Sequence, residues 1–310
     1  MFYNAAMAKR EYLERPCKSA LNAVRGMPFR WSLNPYRGCS HGCHYCYARA
    51  THPYLGMNAD DDFSMRIIVK TNVVEVLRRD LRRPSWSRER VALGTATDAY
   101  QPCDGRWQLA RGILRALRDF ETPVSIVTKS TLVVRDLDIL QELAGLPGTR
   151  VNFSLTTLNR TLWKSLEPGT PPPEQRLQAM ARLADSGIPC GIYLAPILPG
   201  LTDDVATLAA LATAAREHGA TSFWGSALRL APGVKDHFLG VLAEEWPEQL
   251  VPYQREYQRA DASPAYVAQI ERRLAMARQS AGFPTTSDAI VRPDRPHETS
   301  RVERQLVLGL

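Results

Sequence analysis

Short apolar runs alternate with longer amphipathic ones through most of the chain. Ile67-Ile-Val-Lys70 predicts a strand, followed by a helix over 72–82. Arg90-Val-Ala-Leu-Gly-Thr95 reads as a buried strand, with a helix over 107–120. Val124-Ser-Ile-Val-Thr128 and Arg150-Val-Asn-Phe-Ser-Leu155 repeat the pattern, with helical segments over 132–143, 160–166 and 174–186. Gly187 stands where a glycine closes a helix. Cys190-Gly-Ile-Tyr-Leu-Ala195 and Ser222-Phe-Trp-Gly-Ser226 are the last strands, separated by a helix over 203–218. Continuous apolar runs of this length, alternating with helical periodicity, indicate parallel strands covered by helices.

With a further strand near 31–34, six βα repeats are counted. Six are too few for a closed eight-strand barrel, so the fold class is α/β, a partial (open) (β/α)6 TIM-like barrel. Functional groups in such sheets gather where strands end at their carboxyl side. That rule singles out residues 39–46, 95–98, 128–129, 154–157, 196–202 and 226–229, several of them polar. Beyond residue 230 the pattern becomes helical, with breaks expected at Pro247, Pro252 and Pro264. The expected plan is an N-terminal extension (1–30), the barrel (31–230), a helical C-terminal extension (231–282) and a polar, loosely ordered tail (283–310).

The 310 residues, 45% hydrophobic and 23% charged, suit a substantial core. No apolar run spans a bilayer and the first residues lack a signal-peptide pattern, so a cytoplasmic location without membrane attachment is expected. The net charge of +7 admits a polyanionic substrate such as nucleic acid, or an arginine-rich composition with solvated helix faces.

The cysteines change the picture. Cys39, Cys43 and Cys46 crowd into one loop, whereas Cys17, Cys103 and Cys190 are scattered, so a disulfide framework is not indicated. Three thiolates in one loop are soft ligands for zinc or an iron–sulfur cluster. His41 and His44 make a Cys3His zinc site chemically conceivable, but the spacing is cramped and no second Cys-x2-Cys pair exists. A four-iron cluster on three cysteines leaves one iron open, which suits catalysis.

The Cys-x3-Cys-x2-Cys spacing with Tyr45 before the last cysteine resembles the radical S-adenosylmethionine (radical SAM) superfamily. Asn34-Pro-Tyr-Arg-Gly-Cys39, His44-Tyr-Cys-Tyr47, Gly94-Thr-Ala-Thr-Asp-Ala-Tyr-Gln-Pro102, Val127-Thr-Lys-Ser130, and Glu167-Pro-Gly-Thr-Pro171 with Arg176 are similar to its spore photoproduct lyase-like branch. The resemblance covers roughly residues 30–230. It implies a [4Fe-4S] cluster on Cys39, Cys43 and Cys46, S-adenosylmethionine as radical source, and hydrogen abstraction from a substrate. It also implies a flavodoxin- or ferredoxin-like electron donor.

Carried over by position, Lys129 and Ser154 are expected to contact S-adenosylmethionine, and an ammonium suits the methionine carboxylate. Tyr45 and Tyr47 match tyrosines flanking the last cluster cysteine; Tyr45 is expected to pack the loop, and Tyr47 is a candidate for radical relay. The lyase carries a hydrogen-donating cysteine where this chain has Thr95, a much poorer hydrogen-atom donor, which puts the lyase reaction itself in doubt. Cys103 could present a thiol from another direction, or be a small buried hydrophobe. Asp98, directly after a buried strand, is the better of two acids (with Asp104) for proton transfer. The expectation is a radical SAM enzyme, monomeric or weakly dimeric, acting on nucleic acid, a peptide or a small metabolite. The rivals are a zinc-stabilised nucleic-acid-binding module without catalysis and a SAM-binding regulator.

Overall fold

A computed structural model describes residues 10–284. The strands are β1 (Glu11–Arg15), β2 (Asn22–Ala23), β3 (Trp31–Leu33), β4 (Tyr36–Arg37), β5 (Arg66–Lys70), β6 (Val91–Leu93), β7 (Val124–Thr128), β8 (Arg150–Ser154), β9 (Cys190–Ile197) and β10 (Ser222–Ala227). Among the described residues they form two sheets. The larger runs β10-β9-β8-β7-β6-β3-β2, and the smaller β1-β5-β4.

The six strands β3 and β6 to β10 pair in parallel, with registers such as Trp31↔Val91, Val91↔Val124, Ser125↔Arg150, Val151↔Cys190 and Ser222↔Gly191. This is the open (β/α)6 barrel. The Ile67–Lys70 run is a strand, but not one of the barrel. β5 pairs in parallel with β1 (Tyr12↔Ile67, Leu13↔Ile68) and antiparallel with β4 (Tyr36↔Val69). β3 and β6 already satisfy each other's backbone groups, so β5 finds its partners outside the barrel.

Each crossover helix buries one apolar stripe. In the helix Leu109–Asp119 that stripe is Leu109, Ala110, Ile113, Leu114 and Leu117. Its Gly112 lets it close on the helix Val73–Leu81, since a Cβ there would stand 2.8 Å from Val74 Cγ2. The segment expected as one helix over 132–143 begins as a 3-10 turn, Thr131–Asp136, before the α-helix Leu137–Ala144.

Three helices follow the barrel: Val234–Glu245, Pro247–Glu256 and Pro264–Ser280. Pro247 and Pro264 each begin a helix, where a missing N–H costs nothing. Pro252, expected to break the chain, lies inside a helix. Pro252 and Glu248, whose carbonyl loses its usual donor, are both exposed, so water can replace the lost bond.

The Pro264–Ser280 helix belongs to the main core through Ile270, Leu274 and Ala277. A second apolar cluster joins Cys43 and Tyr45 to Leu166, Leu198, Phe238, Leu242, Tyr253 and Tyr257, so the post-barrel helices close over the cysteine loop. No helix among the described residues is long and apolar enough to cross a membrane. The expected polar tail lies, beyond Pro284, outside the described residues.

Candidate cluster and cofactor site

The cysteine loop leaves the carboxyl end of β3 and is fastened by side chains along its length. Asn34 Oδ1 accepts from the amides of Ala96 (2.9 Å) and Thr97 (3.3 Å), and Thr97 Oγ1 donates to the Tyr36 carbonyl (2.8 Å). Gln101 Oε1 accepts from the Ser40 amide (2.8 Å) while its Nε2 donates to the Gly38 carbonyl (3.1 Å). Gly38 has φ +78°, and a Cβ there would stand 2.9 Å from two backbone oxygens, so only glycine fits. Arg49 is buried and donates to four carbonyls, Cys43 (3.0 Å), Gly42 (2.9 Å), Ala59 (2.9 Å) and Asp60 (2.8 Å).

Cys39 and Cys43 are buried, Cys46 is partly buried, and none of the three is in a disulfide. Burial raises all three thiols above their usual range, Cys43 to about 12. A bound metal reverses that preference, because coordination deprotonates a thiol. Among the described residues no group of three or more His, Cys, Asp and Glu side chains could hold a single metal ion.

The histidines that suggested zinc are engaged elsewhere. His41 Nδ1 meets the Gly169 carbonyl at 2.9 Å and its Nε2 meets Asp98 Oδ2 at 3.1 Å. His44 Nδ1 faces His237 Nε2 at 3.0 Å, the two rings are stacked, and His237 Nδ1 meets Asp60 Oδ1 at 2.8 Å. The soft donor set is therefore three thiols on one loop, which fits a cluster liganded by three cysteines.

Lys129 and Ser154, from the ends of the adjacent strands β7 and β8, meet directly: Lys129 Nζ donates to Ser154 Oγ at 2.6 Å. The same ammonium lies 3.2 Å from Glu167 Oε1 and 5.5 Å from the Tyr45 ring centroid. Tyr45 donates its hydroxyl to Glu167 and also meets Thr156 Oγ1 at 3.0 Å. Arg176, almost fully buried, forms an ion pair with Glu167 Oε2 and donates to the Ser154 carbonyl (3.0 Å) and the Pro171 carbonyl (2.9 Å). Burial alone would raise the Glu167 carboxyl, but Arg176, Lys129 and the Tyr45 hydroxyl hold it well below the usual carboxylate range.

Asp98 is also buried, and its oxygens accept from Thr128 Oγ1 (2.8 Å), the Lys129 amide (2.7 Å) and the Tyr100 amide (2.9 Å), with His41 on the remaining side. Burial pushes its carboxyl up, yet these donors take it below the usual value. It joins the cysteine loop to the ends of β6 and β7. Thr95 is partly buried and receives a weak contact from Asn34 Nδ2 (3.4 Å), while the half-exposed Tyr47 donates its hydroxyl to the Thr95 carbonyl. Cys103 is buried within the main apolar core, with its thiol pushed up to about 12 by burial.

The site therefore brings together Lys129, Ser154 and Tyr45, and separately Tyr47 and Thr95. Sequence reasoning noted Glu167 and Arg176 only as part of a motif, although they supply the charges that organise the cluster of polar groups. It weighed His41 only as a conceivable zinc ligand, and it did not mark Arg49. An arginine three residues beyond the last cysteine is a local signal for Arg49, whereas nothing local pairs Asp98 with His41.

The profile of the radical SAM superfamily matches residues 33–212. An uncharacterised protein of Mycobacterium tuberculosis is 43% identical over 263 residues, 84% of this chain and 77% of its own. Spore photoproduct lyase of Bacillus subtilis is 28% identical over 165 residues, covering 52% of this chain and 43% of the enzyme. Among solved structures, a spore photoproduct lyase variant with bound S-adenosylmethionine and dinucleoside spore photoproduct superposes with a TM-score of 0.67. It covers 88% of this chain and 80% of that one at 16% identity, a likeness of fold. The profile match over more than half of the chain places this protein among the enzymes of the radical SAM superfamily.

Proposed function

We propose that this protein holds a [4Fe-4S] cluster through Cys39, Cys43 and Cys46 and binds S-adenosylmethionine beside it, at Lys129, Ser154 and Tyr45. When bound, that pair supplies reductive cleavage of the sulfonium and a 5′-deoxyadenosyl radical able to take a hydrogen atom from substrate. The observation that carries the reading is the position of three undisulfided cysteines on a loop joined through His41 and Asp98 to the Lys129 amide and through Tyr45 to Thr156, beside the strand ends that present Lys129 and Ser154.

The chain's own residues bind and orient. Lys129 offers an ammonium to a carboxylate such as that of methionine, and Ser154 fixes where that ammonium points. Glu167, held ionised by Arg176, sets the position of both Lys129 and the Tyr45 hydroxyl. Asp98 holds His41 against the Gly169 carbonyl and so holds the cysteine loop on the barrel mouth. The helices packed on Cys43 and Tyr45 exclude water from this side of the loop. Nucleic acid is the proposed substrate class, supported by the positive net charge and by what the lyase of known structure binds. Thr95 in place of a thiol argues for a reaction other than the lyase's own.

Anaerobic reconstitution with iron and sulfide tests the reading. Wild type is expected to turn brown, bind four irons per chain as a [4Fe-4S] cluster does, and release 5′-deoxyadenosine from S-adenosylmethionine under strong reductant. Replacing Cys39, Cys43 or Cys46 by Ala is expected to abolish both. A colourless protein retaining stoichiometric zinc after the same treatment would overturn it.

A further inference from the structure

Lys70 ends β5 with only 2% of its surface exposed, and Arg37, on the paired strand β4, is 7% exposed. Together they line a cavity of about 20 Å³ with Asn22, Asn34, Thr51 and Thr97, and no carboxylate lines it. A volume of that order takes one or two water-sized atoms. The titratable groups bearing on Lys70 are the Arg37 guanidinium and the Cys17 thiol, which burial keeps protonated, so no carboxylate among the described residues offsets its ammonium. Burial, with Arg37 adding to it, pushes the Lys70 ammonium down to about 8. A buried ammonium without a counter-charge is costly, and the polar groups around it are amides and hydroxyls.

We propose that this cavity is an anion site that takes one or two oxygens of a phosphate-class group. Lys70 supplies the charge, and Arg37, Tyr36 and Ala96 complete the wall with the side chains of Asn22, Asn34, Thr51 and Thr97. Asn34 also reaches Thr95 Oγ1 with its Nδ2, so the site adjoins the barrel strand end next to the cysteine loop. The narrow volume suits a phosphoryl group entering past the partly exposed Asn22, Thr51 and Ala96 with the rest of its molecule outside. Assigning that group to the backbone of a nucleic-acid substrate rests on the functional reading above; the anion site itself does not.

The test uses the full chain and two probes, inorganic phosphate by calorimetry and a single-stranded oligonucleotide by fluorescence anisotropy. The wild type is compared with Lys70→Met and with Lys164→Gln, which removes an exposed lysine elsewhere. Phosphate is expected to bind wild type and the Lys164 variant alike, and Lys70→Met at least about tenfold more weakly. Without phosphate, Lys70→Met is expected to melt no lower than wild type, since it replaces an unoffset buried charge by an apolar chain of similar volume.

A matching loss of oligonucleotide binding identifies the anion as a backbone phosphate. Loss of phosphate binding alone identifies free phosphate or a small phosphorylated compound. Wild type that binds neither probe at millimolar concentration overturns the proposal without any variant, as does a folded Lys70→Met that binds both as wild type does. Release of 5′-deoxyadenosine is followed in parallel without substrate, and its absence would count against the cluster reading alone.

Discussion

Glu167 Oε1 accepts from Lys129 Nζ and the Tyr45 hydroxyl, while Oε2 faces Arg176 and the Thr170 hydroxyl. Glu167→Gln keeps the shape but leaves two cations without their common anion, a loss expected to cost about 3–5 kcal/mol. Urea unfolding at neutral pH measures it. Because the folded-state pKa is depressed, wild type holds this stabilisation fully above the unfolded glutamate value of about 4.3. It is lost as pH falls further, toward the folded value. The gap between wild type and variant should therefore be constant from neutral pH down to that point and narrow below it. A gap that does not change with acid would place the stabilisation elsewhere. Arg49, with four carbonyls and the Phe63 ring 4.9 Å from its guanidinium carbon, is the corresponding anchor on the cysteine loop. Arg49→Lys preserves the charge but not the fork, and should lower iron content on reconstitution while leaving the chain folded by circular dichroism.

The turn from Glu167 to Thr170, which follows the helix Arg160–Leu166, is seated directly on the cysteine loop. The Gly169 amide donates to the His41 carbonyl at 2.9 Å, and a Cβ on Gly169 would stand 2.4 Å from the Ser40 carbonyl oxygen. Backbone cannot yield there as a flexible side chain would. Gly169→Ala is expected to lift the turn from the loop, destabilise by about 1–3 kcal/mol as overpacking does, and reduce iron bound per chain. Gly105 is the contrast, since a Cβ there meets nothing within 4 Å, in the short helix Asp104–Trp107. Gly105→Ala should leave iron binding unchanged and raise the melting temperature or leave it alone. Equal iron loss in both variants would mean that the contact between turn and loop has no part in shaping the site.

At the scale of the molecule, the sheet is open at β10, and the helix Pro264–Ser280 covers that edge region. Gly225 on β10 permits the approach, since its Cβ would stand 2.9 Å from Leu274. Leu274 is 3% exposed and belongs to the same core as β6 to β9. Leu274→Ala is expected to cost about 2–5 kcal/mol, in one cooperative transition with the barrel. A separate early transition for the C-terminal helices would contradict a shared core. The second apolar cluster, through Phe238, Tyr253 and Tyr257, extends the dependence to the cysteine loop itself.

Periodicity and spacing by themselves determined much of this protein. Buried runs such as Val91–Leu93 and Cys190–Ile197 mark strands because parallel strands covered on both faces are largely apolar. Three cysteines in eight residues mark a ligand loop because neighbours in sequence must be neighbours in space. What the tertiary structure decided is pairing at a distance. The Ile67–Lys70 strand carries no local mark of which sheet it joins, and with β3 and β6 already paired it joins β1 and β4 outside the barrel. Pro252 stays within a helix where the carbonyl it deprives is open to water, and that exposure depends on packing. His41 stands among ligand-type residues, yet Asp98 and Gly169, far along the chain, occupy its ring nitrogens. Lys129, Ser154, Glu167 and Arg176 become one site only when β7, β8 and the turn before the helix Pro173–Asp185 converge. Local sequence governs which groups are present, and the pairing of strands distant in sequence governs which of them meet.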